Sequence, residues 1–155
     1  MPPIIIDSVK AIEGLVGKEV GPTDWLTITQ ERIAQFAEAT EDRQWIHIDP
    51  ERAQRESPFE TTVAHGFLTL SLASYFAKQA IEIRGGIRLA VNYGLNRVRF
   101  IAPVPAGAKI RARFRIESAR EIRDRVEVVW AVEFELEGLA KPCCVAEWIV
   151  CYFAS

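Results

Sequence analysis

Two histidines and one acid-to-histidine spacing carry most of the chemistry this sequence can offer. Asp42 and His47 stand five residues apart in the stretch TEDRQWIHIDPERA, with apolar Trp45, Ile46 and Ile48 around them. A carboxylate and an imidazole presented together can grip one water, take a proton from it and return a proton elsewhere, which is general acid–base chemistry. The bland reading is a surface loop in which Asp42 caps a turn and His47 fills a gap. Catalytic groups concentrate on loops held by a rigid scaffold, which favours the chemical reading. The second feature is Ala64-His65-Gly66 at the head of an apolar stretch. Glycine leaves a backbone amide open to approach, and the first amides of a helix are unpaired and sit at its positive end, a ready site for a developing oxyanion. Close packing at a helix entry explains the same glycine equally well.

Other chemistries lack their residues. The chain holds no GxGxxG, GxxxxGK, GxSxG or HExxH motif. Cys143, Cys144 and Cys151 have neither metal-ligand spacing nor the even count of a disulfide framework. They are expected to be buried small hydrophobes in a reducing compartment, and no metal site is expected. Arginines 97, 99, 111, 113 and 115 form a basic stripe, but Glu133, Glu135 and Glu137 lie on a matching strand, so cross-strand pairing is expected. With 19 basic and 21 acidic residues the net charge is −2, and no pull toward nucleic acid or an anionic membrane follows.

Three kinds of element must position these groups. Apolar Ile33, Phe36, Ala37 and Thr40 recur at helical spacing over Thr29–Thr40, and Thr27 with Gln30 resembles a capping box. A loop follows, then a short helix beginning at Pro50. From Gly66 to about Arg84 the chain is apolar nearly all round at first, predicting a buried helix that ends at Gly85-Gly86. Beyond it, KIRARFRIE and RVEVVWAVEFELE alternate with period two, predicting antiparallel strands with one face wet. Two more strands are expected over 87–101 and 144–153, the second covered on both sides. One helix wrapped by a long antiparallel sheet is an α+β arrangement. At 155 residues, 49% of them hydrophobic, the chain reads as a single domain over 1–155. The N-terminal MPPIIIDSVK does not read as a signal peptide, and the clearly apolar stretch from Gly66 to Ala77 is too short to span a bilayer. A soluble, cytoplasmic protein with no membrane partner is expected.

The blocks FAEATEDRQWIHIDPERA, AHGFLTLSL and NYGLNRVRFIAPVPAGAKI, in this order, resemble the MaoC-like dehydratases, and among them the branch of nodulation protein N-like proteins. The resemblance covers nearly the whole chain. It implies a hot dog fold, in which a curved antiparallel sheet wraps a long central helix, and an (R)-specific hydratase or dehydratase acting on 2-enoyl or 3-hydroxyacyl thioesters. The family motif Gly-Asp-x-Asn-Pro-(apolar)-His places its aspartate on Asp42 and its histidine on His47. Glu41, Gln44 and Trp45 replace the glycine, asparagine and proline. Glu41 sets a like charge beside Asp42, a repulsion that matters where both acids are dry. Trp45 implies a reshaped pocket mouth. Gly66 falls on the family's oxyanion glycine, and Ser74 on a family serine near the site. Coenzyme A or acyl carrier protein would enter as part of the substrate, with no other cofactor. A homodimer is expected too, because one helix cannot cover so much apolar sheet and long strand edges would stay unpaired.

Two other readings stay open on sequence. A hot dog thioesterase would resemble its kind in carrying an acid on or near the central helix, and 66–79 has neither Asp nor Glu. A non-catalytic acyl-thioester binding protein would keep the fold and tolerate the departures around Asp42.

Overall fold

A computed structural model of the chain describes residues 2–155. Four long strands make the main sheet: β5 (Ile87–Phe100), β6 (Lys109–Ile122), β7 (Arg125–Leu136) and β8 (Cys144–Ala154). Two short strands, β2 (Glu19–Val20) and β3 (Leu26–Thr27), both pair antiparallel with β6, and the order across the sheet is β2-β6-β7-β8-β5. Register shifts at 116/118 in β6 and at 92/94 and 95/97 in β5 mark bulges, which bend long strands and let the sheet curl.

Alternation decides what the curl encloses. Ile110, Ala112, Phe114 and Ile116 of β6 and Val126, Val128, Trp130, Val132 and Phe134 of β7 are all buried on the concave face. Leu68, Leu72, Ala73, Phe76 and Ala80 of the central helix meet them, with Phe76 edge-on to Phe134 at 6.3 Å. Trp130 Nε1 donates to the Tyr152 hydroxyl at 3.1 Å, so the largest buried side chain keeps no unpaired donor.

The central helix departs from expectation twice. It is two segments, α4 (Gly66–Ser71) and α5 (Ala73–Ala80), meeting at Leu72, and it stops well short of Arg84. Ile81–Ile83 forms β4, which pairs parallel with β1 (Ile4–Ile6), a strand the sequence reading did not anticipate. Ile-Glu-Ile pairs β-branched residues at period two, and a parallel partner turns that local bias into a strand. The helix is not covered on every side either: Phe67 is 66% exposed, and Tyr75 and Ser74 also face out.

Before it come α1 (Gln30–Thr40), α2 (Trp45–Ile48) and α3 (Pro50–Glu56). The cap of α1 is Thr29, whose hydroxyl accepts from Arg32 N at 3.1 Å, and not Thr27, which lies in β3. Asp49 caps α3 through Arg52 N, with Pro50 at the first helical position as expected. On the outer sheet face Glu135 receives both Arg111 and Arg113, at 2.7 and 3.0 Å. Arg115 instead turns to Glu19 and Glu117, and Arg97 stands opposite Glu147. Cross-strand pairing therefore holds at Glu135, while Glu133 and Glu137 make no ion pair among the described residues. No helix among the described residues is long and apolar enough to cross a membrane.

Candidate active site

The corner that carries Asp42 and His47 is built by the end of α1. Glu41 leaves the helix in the left-handed conformation, φ 65°, and so turns the chain sharply. Asp42 follows on the outside of that turn, its carboxylate touched only by Gln44 N at 3.4 Å. Glu41 does not press on it: both acids are exposed, and the Glu41 carboxylate pairs with Arg43, which also holds Glu38 at 2.7 Å.

His47 lies not on a loop but on the one turn of helix α2, and it is 7% exposed. Its Nδ1 sits 2.6 Å from the Val63 carbonyl. A carbonyl can only accept, so the proton is on Nδ1 and the Nε2 lone pair is left free. Burial pushes the imidazole below its ordinary pKa of 6.5 and the His65 ring adds to this, while the Val63 carbonyl and the Asp42 charge pull the other way. The ring is therefore a neutral acceptor at neutral pH. Gln30, the first residue of α1, secures the turn from behind: its amide donates to the His47 carbonyl at 2.7 Å and accepts from the Thr62 hydroxyl. Neither Gln30 nor Thr62 carried a sequence signal for this role, because the contacts join residues 17 and 32 positions apart.

His65 completes the corner. It is 3% exposed, stacked on His47 with centroids 3.8 Å apart and planes 21° from parallel, and its Nε2 donates to the Asp42 main-chain carbonyl at 2.9 Å. The sequence placed it only as the residue before Gly66. Its partners lie 18 and 23 positions upstream, so the fold alone reveals them.

Asp42, His47 and His65 each bring one ligating atom within 4.8 Å of the others. That distance suits a divalent metal, but the directions do not. Imidazole lone pairs lie in the ring plane, and two nearly parallel rings aim them side by side rather than at one point about 2.0–2.1 Å from each nitrogen. The same span suits water, because two acceptors bridged by one molecule stand up to about 5.6 Å apart.

Gly66 opens α4, directly after His65. A side chain here would meet the Phe100 ring at 2.9 Å from its first carbon, so the close-packing account of this glycine has a concrete basis beside the open-amide one. Gly66 also lines a cavity of about 260 Å³ with Phe59, Phe100, Cys143 and Cys144. All three cysteines are free and buried; burial raises the Cys143 thiol to about 11 and the Cys144 thiol to about 12. Ser74 lies elsewhere, in a second cavity of about 250 Å³ lined by Tyr93, Leu95 and Trp148. Trp45 borders neither cavity; it is half-buried under the Arg52 guanidinium, 4.2 Å from the ring centre. The fold thus joins Asp42 and His47 with His65 and the start of α4, keeps Trp45 on the same helical turn as His47 with its ring against Arg52, and places Ser74 in the second cavity.

Comparison with known proteins agrees with this architecture. The family described as MaoC like domain matches residues 11–137. The chain is 48% identical to 3-hydroxyacyl-thioester dehydratase Z of Mycobacterium tuberculosis over 96% of its own length and 97% of the relative. It is 41% identical to nodulation protein N of Rhizobium meliloti, over 92% and 89%. The solved (R)-hydratase of A. caviae superposes with a TM-score of 0.69 at 22% identity, covering 87% of this chain and 94% of that one, which shows the shared hot dog fold. On the family match and these identities together, the chain belongs to the MaoC-like domain family.

Proposed function

We infer that the chain is a hydratase/dehydratase that interconverts 2-enoyl and (R)-3-hydroxyacyl thioesters, with Asp42 and His47 as its acid–base pair. Family membership and the 48% identical dehydratase support the reaction class. The observation that carries the residue assignment is the fixed tautomer of His47. With Nδ1–H held by Val63, Nε2 is left as an acceptor, on a residue whose ring nitrogen lies within 4.8 Å of an Asp42 carboxylate oxygen. A water donating one hydrogen bond to each has its oxygen lone pair free for Cβ of the enoyl thioester. The water oxygen bonds to Cβ, the proton it gives up passes to the pair, and the pair returns a proton to Cα. Negative charge gathers meanwhile on the thioester oxygen, where the Gly66 amide at the head of α4 would meet it. This chemistry oxidises and reduces nothing and requires no metal. Coenzyme A or acyl carrier protein would be present only as the acyl carrier, and Ser74 and Trp45 would act on the substrate away from the reacting carbons.

A homodimer belongs to the same reading. Among the described residues β5 ends the sheet with no strand on its outer side, and Leu89, Val91, Tyr93 (63% exposed) and Leu95 are exposed along it, as are Phe67 and Tyr75 on the central helix. Antiparallel pairing of two β5 edges would satisfy the main chain and cover these side chains. Light scattering at micromolar concentration should return about twice the 17.5 kDa chain mass; a clean monomer with full activity would overturn the dimer. Buried unpaired thiols fit a reducing, cytoplasmic setting.

Crotonyl-coenzyme A tests the reaction directly. Hydration bleaches the conjugated enoyl-thioester band and releases no thiol. Thiol release would instead make the protein a thioesterase, and an unchanged spectrum with retained binding would make it an acyl-thioester binding protein.

A further inference from the structure

His65 is an unusual residue to find with only half of its hydrogen-bonding capacity used. Its Nε2 donates to the Asp42 carbonyl, and its Nδ1 is buried with no partner. Burying a polar atom unpaired costs stability, and an apolar ring would occupy the same volume without that cost. The ring therefore has to be explained by what its other nitrogen and its two faces do. One face lies against His47 at 3.8 Å, and Phe36 closes on the ring at 4.9 Å. The Asp42 carbonyl can only accept, so this hydrogen bond selects the tautomer protonated on Nε2.

Asp42 needs such a partner. It stands on an exposed corner just past the left-handed Glu41, and its own side chain makes one long contact. Its main-chain carbonyl, in contrast, is tied 23 residues along the chain to His65. His47 is fixed on one edge by Val63 and on one face by His65. His65 thus touches both the residue proposed to hold water from one side and the residue proposed to hold it from the other.

We propose that His65 is a positioning residue: its Nε2–H tethers the Asp42 main chain and its ring seats His47, so that carboxylate and imidazole are held as one unit. This rests on the acid–base reading above and adds to it a residue that touches no reacting atom. The effect is geometric. Releasing the tether frees the Asp42 corner, and displacement of a catalytic group by an ångström costs up to about a hundredfold in rate.

Two substitutions separate tether from bulk. His65→Gln puts an amide N–H near the Nε2 position and preserves the tether; His65→Phe preserves a stacked ring and deletes the donor. With crotonyl-coenzyme A, His65→Gln, which keeps the tether and gives up the ring against His47, is expected to lose less than about tenfold in kcat, and His65→Phe to lose clearly more, up to about a hundredfold, with KM within about twofold. Melting temperatures of the two variants should be alike. Equal kcat in the two variants, or kcat losses that merely track melting, would overturn the tether. A second measurement needs no substrate. The chain has 2 histidines, so ¹⁵N spectra resolve both rings. At neutral pH His65 should carry its proton on Nε2 and His47 on Nδ1; the opposite tautomer at His65 overturns the proposal outright. Wild type inert toward the enoyl thioester would overturn the hydratase reading, and the ring tautomers would still decide the tether.

Discussion

Two polar regions of this molecule are built on opposite plans. In the histidine corner side chains bond to main chain: His47 to the Val63 carbonyl, His65 to the Asp42 carbonyl, and Gln30 to the carbonyl of the His47 turn. On the outer sheet face, side chains hold one another, with Arg111 and Arg113 converging on Glu135. Main-chain anchors are as rigid as the fold and select a tautomer. Side-chain pairs at the surface lose rotamer freedom, are screened by salt and select nothing. The corner has the means to orient a reaction, and the arginine–glutamate face has the means to keep strands in register and soluble.

The sharpest way to break that contrast is at the corner itself. Asp42→Asn and His47→Asn should each lower kcat by about 10²–10⁴-fold. His47→Asn keeps a donor near Nδ1 for Val63 while removing the Nε2 acceptor and the stacked ring, so melting is measured beside activity; His47→Ala would also drop the Val63 bond of a buried residue. The double variant should be little worse than the worse single, because groups acting as a unit are not additive. Additive losses in steady-state kinetics would dissolve the unit.

Gly66→Val comes next. If the amide receives the thioester oxygen, kcat should drop by about 10²-fold while melting moves less, because the clash falls on the half-exposed Phe100 ring, which has room to turn. Parallel losses of activity and melting would leave the glycine as a packing residue.

The third test concerns pH. His47 is held below 6.5 in the folded chain, first by burial, so the unfolded chain takes up its proton more readily. Stability from this residue is therefore complete above about pH 7 and is lost as pH falls through about 6.5 toward the folded value. Thermal melts of His47→Asn should lose less between about pH 7 and about pH 5 than wild type. An unchanged slope would mean that the ring is not held neutral.

The smallest effect belongs to the other region. Burial works against ionised Glu135, yet Arg113 and Arg111 together hold its carboxyl below the usual range. Glu135→Gln should cost only about 0.2–1 kcal/mol, shrinking in salt, with activity unchanged. A larger cost, or any effect on kcat, would erase the distinction between the two plans.

The sequence was most legible where one periodicity governs a long segment. The strands over 109–117 and 125–137 announced themselves because one face is core and the other is wet for a dozen residues. It was least legible where tertiary contact outvotes local pattern. Ile81-Glu82-Ile83 extends an apolar helix plausibly until β1 offers it a parallel partner. The Asp42 and His47 spacing was readable because both lie within one turn of chain, and the fold sets them beside each other. His65 was seen only as the neighbour of a glycine, since nothing local encodes a ring stacked on a residue 18 positions away. Trp45 and Ser74 were placed by resemblance alone; the fold puts Trp45 under Arg52 on the turn that carries His47, and Ser74 in a cavity with Tyr93 and Trp148.

The two thiols beside Gly66 bear on the durability of the catalyst. A conjugated enoyl thioester is a soft electrophile, and thiolates add to such carbons readily. Cys143 and Cys144 line the cavity that Gly66 opens onto, where the proposed substrate would pass within reach of sulfur. Burial raises them to about 11 and about 12, which keeps both sulfurs protonated, the unreactive form, at neutral pH. The same apolar packing that closes the core thus acts as chemical passivation, keeping these sulfurs in the form that does not add to an enoyl thioester.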